Sequence, residues 1–181
     1  MEIHSVDKFL AYFDKMRETT RRVAKVIPPD QLDWSYAPGK FTIGDVLRHI
    51  AAIEREVFAE LVKGRSPNYA GCGKELADGL EGILSYMDRM HEESMAIFRT
   101  LSDADLRTKV RSLDGTEVEV ASILRAAIIH EVHHRGALCV YINSLGVATP
   151  SILGFNEQQV IQKAKHKINP KQSQLCSTKY I

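Results

Sequence analysis

The sequence predicts an all-α fold, a four-helix bundle of the up-and-down type with one short β-hairpin before the last long helix. Three observations carry that prediction. Four long stretches place apolar residues at helical spacing, and proline or glycine breakers separate them. Only residues 107–120 switch to an alternating period, around an Asp114-Gly115 turn. The chain has 181 residues, 44% of them hydrophobic, which suits one domain with one core.

The first helix is expected over 5–26, with Ser5 as N-cap and Val6, Phe9, Leu10, Phe13, Met16, Val23 and Val26 as its apolar stripe. Pro28 and Pro29 end it, because proline lacks the amide hydrogen and restricts the residue before it. A connector over 30–41 carries Trp34, Tyr36 and Phe41 and is expected to lie across one end of the core. Thr42, with Asp45 three residues on, is an approximate capping box for a second helix over 43–62. Its stripe is Val46, Leu47, Ile50, Ile53, Val57, Phe58 and Leu61, and His49 borders it.

Residues 64–79 contain four glycines and Cys72 and read as a long loop, either a lid or a mobile segment. A third helix over 80–101 has His91 within its apolar stripe. The hairpin near 108–120 leads into a fourth helix over 119–145, and a short helical turn is expected around 156–165. The predicted domain is 1–165, followed by a weakly ordered basic and polar tail at 166–181.

The fourth helix carries the chemistry. His130 and His134 lie one turn apart, about 40° from each other around the axis, so a rigid helix offers both imidazoles to one ion. His133 is about 100° from His134 and points elsewhere. The third ligand must come from another helix: His49 is the best-placed candidate, and His91 competes with it. His130-Glu131-Val132-His133-His134 also matches the H-E-x-x-H pattern, in which Glu131 is a candidate general base. A protease does not fit, because Val140 stands where the extended motif needs a ligand and no sheet edge is evident for a peptide. Glu131 has a plainer role open to it as the i,i+4 partner of Arg135.

Composition narrows the classes further. A formal net charge of +1 gives no reason to expect nucleic-acid binding. No apolar run reaches the ~18 residues of a membrane span, and the N-terminus has no secretory h-region. Three cysteines without CxxC spacing suit reduced thiols, so a cytoplasmic location is expected. Nucleotide-binding and nucleophile-elbow motifs are absent, as is the second E-x-x-H of a di-iron site.

Trp34-Ser-Tyr-Ala-Pro-Gly-Lys-Phe-Thr-Ile-Gly-Asp-Val-Leu-Arg-His49, the Asp-Gly hairpin and His130-x-x-His133-His134-Arg135-Gly136-Ala-Leu together resemble the DinB (damage-inducible) family over roughly residues 5–155. The resemblance implies a four-helix bundle holding a divalent metal on His49, His130 and His134, with Zn or Ni the expected ions and Fe or Mn the alternatives. It also implies a homodimer, and a small-molecule substrate or a low-molecular-weight thiol cofactor. The implied activity is that of a metal-activated-water hydrolase or a thiol S-transferase. A non-catalytic bundle that binds metal or a small ligand is the alternative. Many members have Gln after Arg-Gly; this chain has Ala137, and a different reaction would follow if that Gln positions a ligand.

Overall fold

The computed structural model describes residues 2–152, 154–155 and 157–165. The 166–181 tail expected from composition lies outside the described residues. Helix α1 (Val6–Ala24) starts where expected: Ser5 is extended, and its hydroxyl accepts from the Lys8 amide. Pro29 begins a 3-10 turn, Pro29–Gln31, after which the connector reaches Thr42. Helix α2 (Ile43–Ile53) opens on a complete capping box. The Asp45 amide donates to Thr42 Oγ1, and the Thr42 amide donates to Asp45 Oδ2, both at 3.0 Å.

The second helix departs from the uniform rod that its periodicity suggests. After Ile53 one π-helical turn, Glu54–Phe58, widens the spiral before α3 (Ala59–Leu61) completes the rod. Glu54, four residues after Ile50 and seven after Leu47, lies on the inner face and is buried, while Ile53 is only partly so. Its carboxylate meets Arg17 and His91 in the core.

Helix α4 (Gly79–Phe98) begins at Asp78, whose carboxylate accepts from the Gly79 amide. Strands β1 (Lys109–Arg111) and β2 (Glu117–Glu119) pair antiparallel, with Val110 opposite Val118. Their turn uses Gly115 at φ +83°, while Asp114 Oδ1 accepts from Ser112 Oγ and the Thr116 amide. Helix α5 (Val120–Ser144) follows directly. Beyond Thr149 the described residues form a separate compact unit containing α6 (Glu157–Lys165), whose Lys163 ammonium lies 4.9 Å from the Phe155 ring centroid.

In the bundle α1 packs on α4 and α5, and α2 packs on the same two helices. Sequence-consecutive helices α1 and α2 therefore stand at opposite corners, which the long connectors over 25–42 and 99–119 permit. One cluster in the core joins Phe9, Phe13, Met95, Phe98, Leu106, Leu124 and Ile128. Phe9 stacks on Phe13 at 5.3 Å and meets Phe98 edge-on at 5.5 Å. This arrangement sets α5 between α1 and α2, so its two inner faces meet different partners.

Candidate metal centre

The face of α5 turned to α2 carries His130 and His134, with ring centroids 4.4 Å apart as i,i+4 spacing requires. His49 comes from α2, its ring centroid 5.0 Å from that of His130 and 4.7 Å from that of His134. Each of the three has a nitrogen within 4.8 Å of the other two, and all are half-buried. His130 Nε2 and His49 Nε2 are 3.1 Å apart. Two nitrogens that each lie about 2.0–2.1 Å from one ion are separated by about 3.0–3.4 Å at ordinary bond angles, so the spacing fits a shared cation.

Electrostatics keeps these rings neutral, the form that has a lone pair to give. Burial, followed by the neighbouring His134, His49, His133 and Arg17, lowers the pKa of His130 to about 3. Burial, followed by His49 and His133, lowers His134 to about 4, and burial lowers His49. The donor set of three neutral imidazoles therefore suits a divalent ion. Phe41 lies 5.2 Å from His49 and Phe58 5.6 Å from His130, so aromatic rings wall the cluster. Ala137 follows His130 by seven residues on the same face and is partly buried.

The other candidates are placed elsewhere. His133 is exposed on the rim, its ring 4.9 Å from that of His134. His91 is a buried core residue: its Nδ1 is 2.8 Å from Glu54 Oε1 and its ring tilts against Phe13. Glu131 corrects the general-base expectation. It lies on the α5 face turned to α1, 1% exposed, with Oε1 accepting from Thr20 Oγ1 at 2.6 Å and Oε2 3.3 Å from Arg17 Nη2. Its carboxylate is thus tied to α1 rather than turned to the imidazoles. The expected Glu131–Arg135 surface pair is not found either. Arg135 is buried, donating to the Met16 carbonyl and to Thr20.

Sequence reasoning missed the network that explains both positions. Arg17 ion-pairs with Glu54 and Glu131, two carboxylates whose side chains are 3% and 2% exposed, and His91 completes the set. Arg17 and Thr20, four and seven residues after Phe13, lie within the apolar stripe of α1, so two polar residues interrupting that stripe were the available signal. Arg48 was missed as well. It is 1% exposed and donates to the carbonyls of Cys72 and Ala77, so the loop over 64–78 is pinned to α2 rather than free. Trp34 and Tyr36 of the connector pack on Tyr141 of α5, two turns beyond His134.

Among the described residues no helix is long and apolar enough to cross a membrane. The chain is similar in structure to a DinB-like protein from Bacillus cereus ATCC 10987, with a TM-score of 0.70 and 20% identity, covering 82% of this chain and 97% of that one. YjoA of Bacillus subtilis, itself described as uncharacterized, is 24% identical over 143 residues, 77% of this chain and 90% of that protein. The YjoA crystal structure superposes with a TM-score of 0.64, covering 80% of this chain and 96% of that one. YfiT of B. subtilis, described as a probable metal-dependent hydrolase with an unusual four-helix bundle topology, gives 0.64 at 18% identity and covers 78% of this chain and 87% of that one. At these identities the likeness concerns the fold. The family model for the DinB superfamily matches residues 12–138, which include all three clustered histidines, and the chain belongs to that superfamily.

Proposed function

We propose that His49, His130 and His134 hold one divalent metal ion and that the protein is a metal-dependent enzyme acting on a small molecule. The observation that carries this reading is the convergence of three neutral, half-buried imidazoles from two helices. A structural site takes four protein ligands, whereas three leave a position for a reactant. Such an ion supplies Lewis acidity to an oxygen or sulfur ligand. The chain's own residues bind and orient: α5 fixes two imidazoles at one spacing, α2 brings the third, and Phe41 and Phe58 flank them.

Two chemistries fit, hydrolysis and thiol transfer. Because Glu131 is held by Thr20 and Arg17, it does not supply the base that hydrolysis would use. That placement favours transfer to or from a low-molecular-weight thiol, whose own sulfur is the nucleophile. Metal analysis of untagged protein, with activity screened against ester and thiol substrates in parallel, tests the reading. One equivalent of metal and metal-dependent turnover of a thiol substrate is the expected result. Protein without metal, or turnover unaffected by chelation, would contradict it.

A second copy of the chain is the proposed partner. Ile129, Val132 and Val140 are 58%, 43% and 63% exposed on one stripe of α5. Gly136 lies between them on the same stripe, where an added methyl group would meet nothing within 4 Å. Glycine costs a helix about 1 kcal/mol relative to alanine, and close approach of another helix offsets that cost. An apolar stripe around a glycine suits an isologous contact with its own copy.

A further inference from the structure

Tyr69 stands in the loop after α3, and its hydroxyl oxygen lies 2.9 Å from His49 Nδ1. Three contacts hold the loop so that the phenol reaches this atom. Arg48, the residue before His49, donates from Nε to the Cys72 carbonyl at 2.7 Å and from Nη1 to the Ala77 carbonyl at 3.1 Å. The Asn68 amide donates to the Glu56 carbonyl at 3.1 Å, tying the same loop to the π-helical turn. One helix thus presents both the imidazole and the clamp for the residue that touches it.

The direction of the Tyr69–His49 bond decides what Nε2 can do. If the phenol donated to Nδ1, the imidazole hydrogen would sit on Nε2 and close it to a cation. If Nδ1–H donates to the phenolic oxygen, Nε2 keeps its lone pair. His49 Nε2 is the nitrogen turned to the cluster, 3.1 Å from His130 Nε2. An imidazole that gives its Nε2 lone pair to an ion carries its hydrogen on Nδ1, and the Tyr69 oxygen lies within reach of that hydrogen.

We propose that Tyr69 is a positioning residue whose hydroxyl oxygen accepts from His49, holding it as the Nδ1–H tautomer with the Nε2 lone pair turned toward His130 and His134. This rests on the metal-site reading above and adds the group that orients its third ligand. In the metal-free protein the same tautomer requires His130 to donate from Nε2 across the 3.1 Å to His49 Nε2. Outer hydrogen bonds of this kind fix ring orientation and raise ligand basicity.

The test has a readout that needs no metal. Long-range proton–nitrogen correlation spectra of the full-length, metal-free protein report which nitrogen of His49 carries hydrogen. The expected result is Nδ1–H in the wild type and the appearance of Nε2–H in Tyr69→Phe, with an unchanged melting temperature. Zinc affinity, measured by competition with a chelator, should fall about 10- to 100-fold in Tyr69→Phe. Nε2–H in the wild type, or the same tautomer and zinc affinity in both proteins, overturns the assignment of Tyr69. Should the variant fail to fold, the wild-type tautomer alone decides. A wild type that takes up no zinc overturns the metal reading instead, and the tautomer still judges Tyr69.

Discussion

Replacing Arg17 with methionine should destabilise the fold more than any other single polar change in the core, with a signature in pH. Methionine fills much of the arginine stem's volume, so packing loss is small and the charge effect is isolated. The Arg17 side chain is 4% exposed, and it bridges Glu54 and Glu131, at 3% and 2%. Removing the cation leaves two carboxylates buried without it, a change that costs about 3–5 kcal/mol for a buried pair. For a chain of this size each kcal/mol lowers the melting temperature by about 2–4 °C, so the fall should be roughly 6–20 °C at neutral pH. Burial already raises the pKa of Glu131 despite the neighbouring Arg17, and without Arg17 it rises further. A carboxyl whose folded pKa exceeds its unfolded value binds its proton first in the native state, so stability rises as pH falls through that range. The deficit of Arg17→Met relative to wild type should therefore shrink between about pH 7.5 and pH 5.5. Thermal unfolding followed by circular dichroism at both pH values measures this. A variant melting within about 2 °C of wild type at neutral pH, or an equal deficit at both, would refute the reasoning.

Three further outcomes are expected. Because the folded pKa values of His130 and His134 lie near 3 and 4, below the ordinary 6.5, protons do not compete for them near neutrality. Zinc affinity should then be nearly flat from about pH 7.5 to 5.5, and calorimetry showing a steep fall below about 6.5 would contradict it. The same depressed values mean that the unfolded chain binds more protons below pH 6.5, so the metal-free protein should lose stability as pH falls from there toward 4, as melting curves would register. Light scattering should give twice the 20.3 kDa chain mass for wild type and the single mass for Val132→Glu/Val140→Glu; a wild-type monomer removes the dimer proposal.

How much of this was legible in the sequence depends on the kind of signal. The helices announce themselves through period and caps: Ser5, Thr42 with Asp45, and the Asp114-Gly115 turn all act where their chemistry says they should. The i,i+4 spacing of His130 and His134 carries two members of the cluster, since a single helix fixes their geometry. What escaped reading depends on contacts between elements. Glu54 meets Arg17 on α1 and His91 on α4 at the start of the π-helical turn, and local periodicity holds no record of either contact. Glu131 reads as a base beside the metal only while the position of α1 is unknown. Once Thr20 and Arg17 face it, about 80° around α5 separates it from the mean direction of His130 and His134. Tyr69 gave no sign at all, being an aromatic residue in a glycine-rich loop whose course Arg48 determines.

The central claim is that three histidines hold one ion, and metal stoichiometry across histidine variants tests it most directly. Each purified protein is loaded with zinc, freed of excess, and assayed by atomic emission. The account predicts one equivalent per chain in the wild type and in His133→Ala, and almost none in His130→Ala or His134→Ala. A full equivalent in His130→Ala, with the fold intact by circular dichroism, would contradict it.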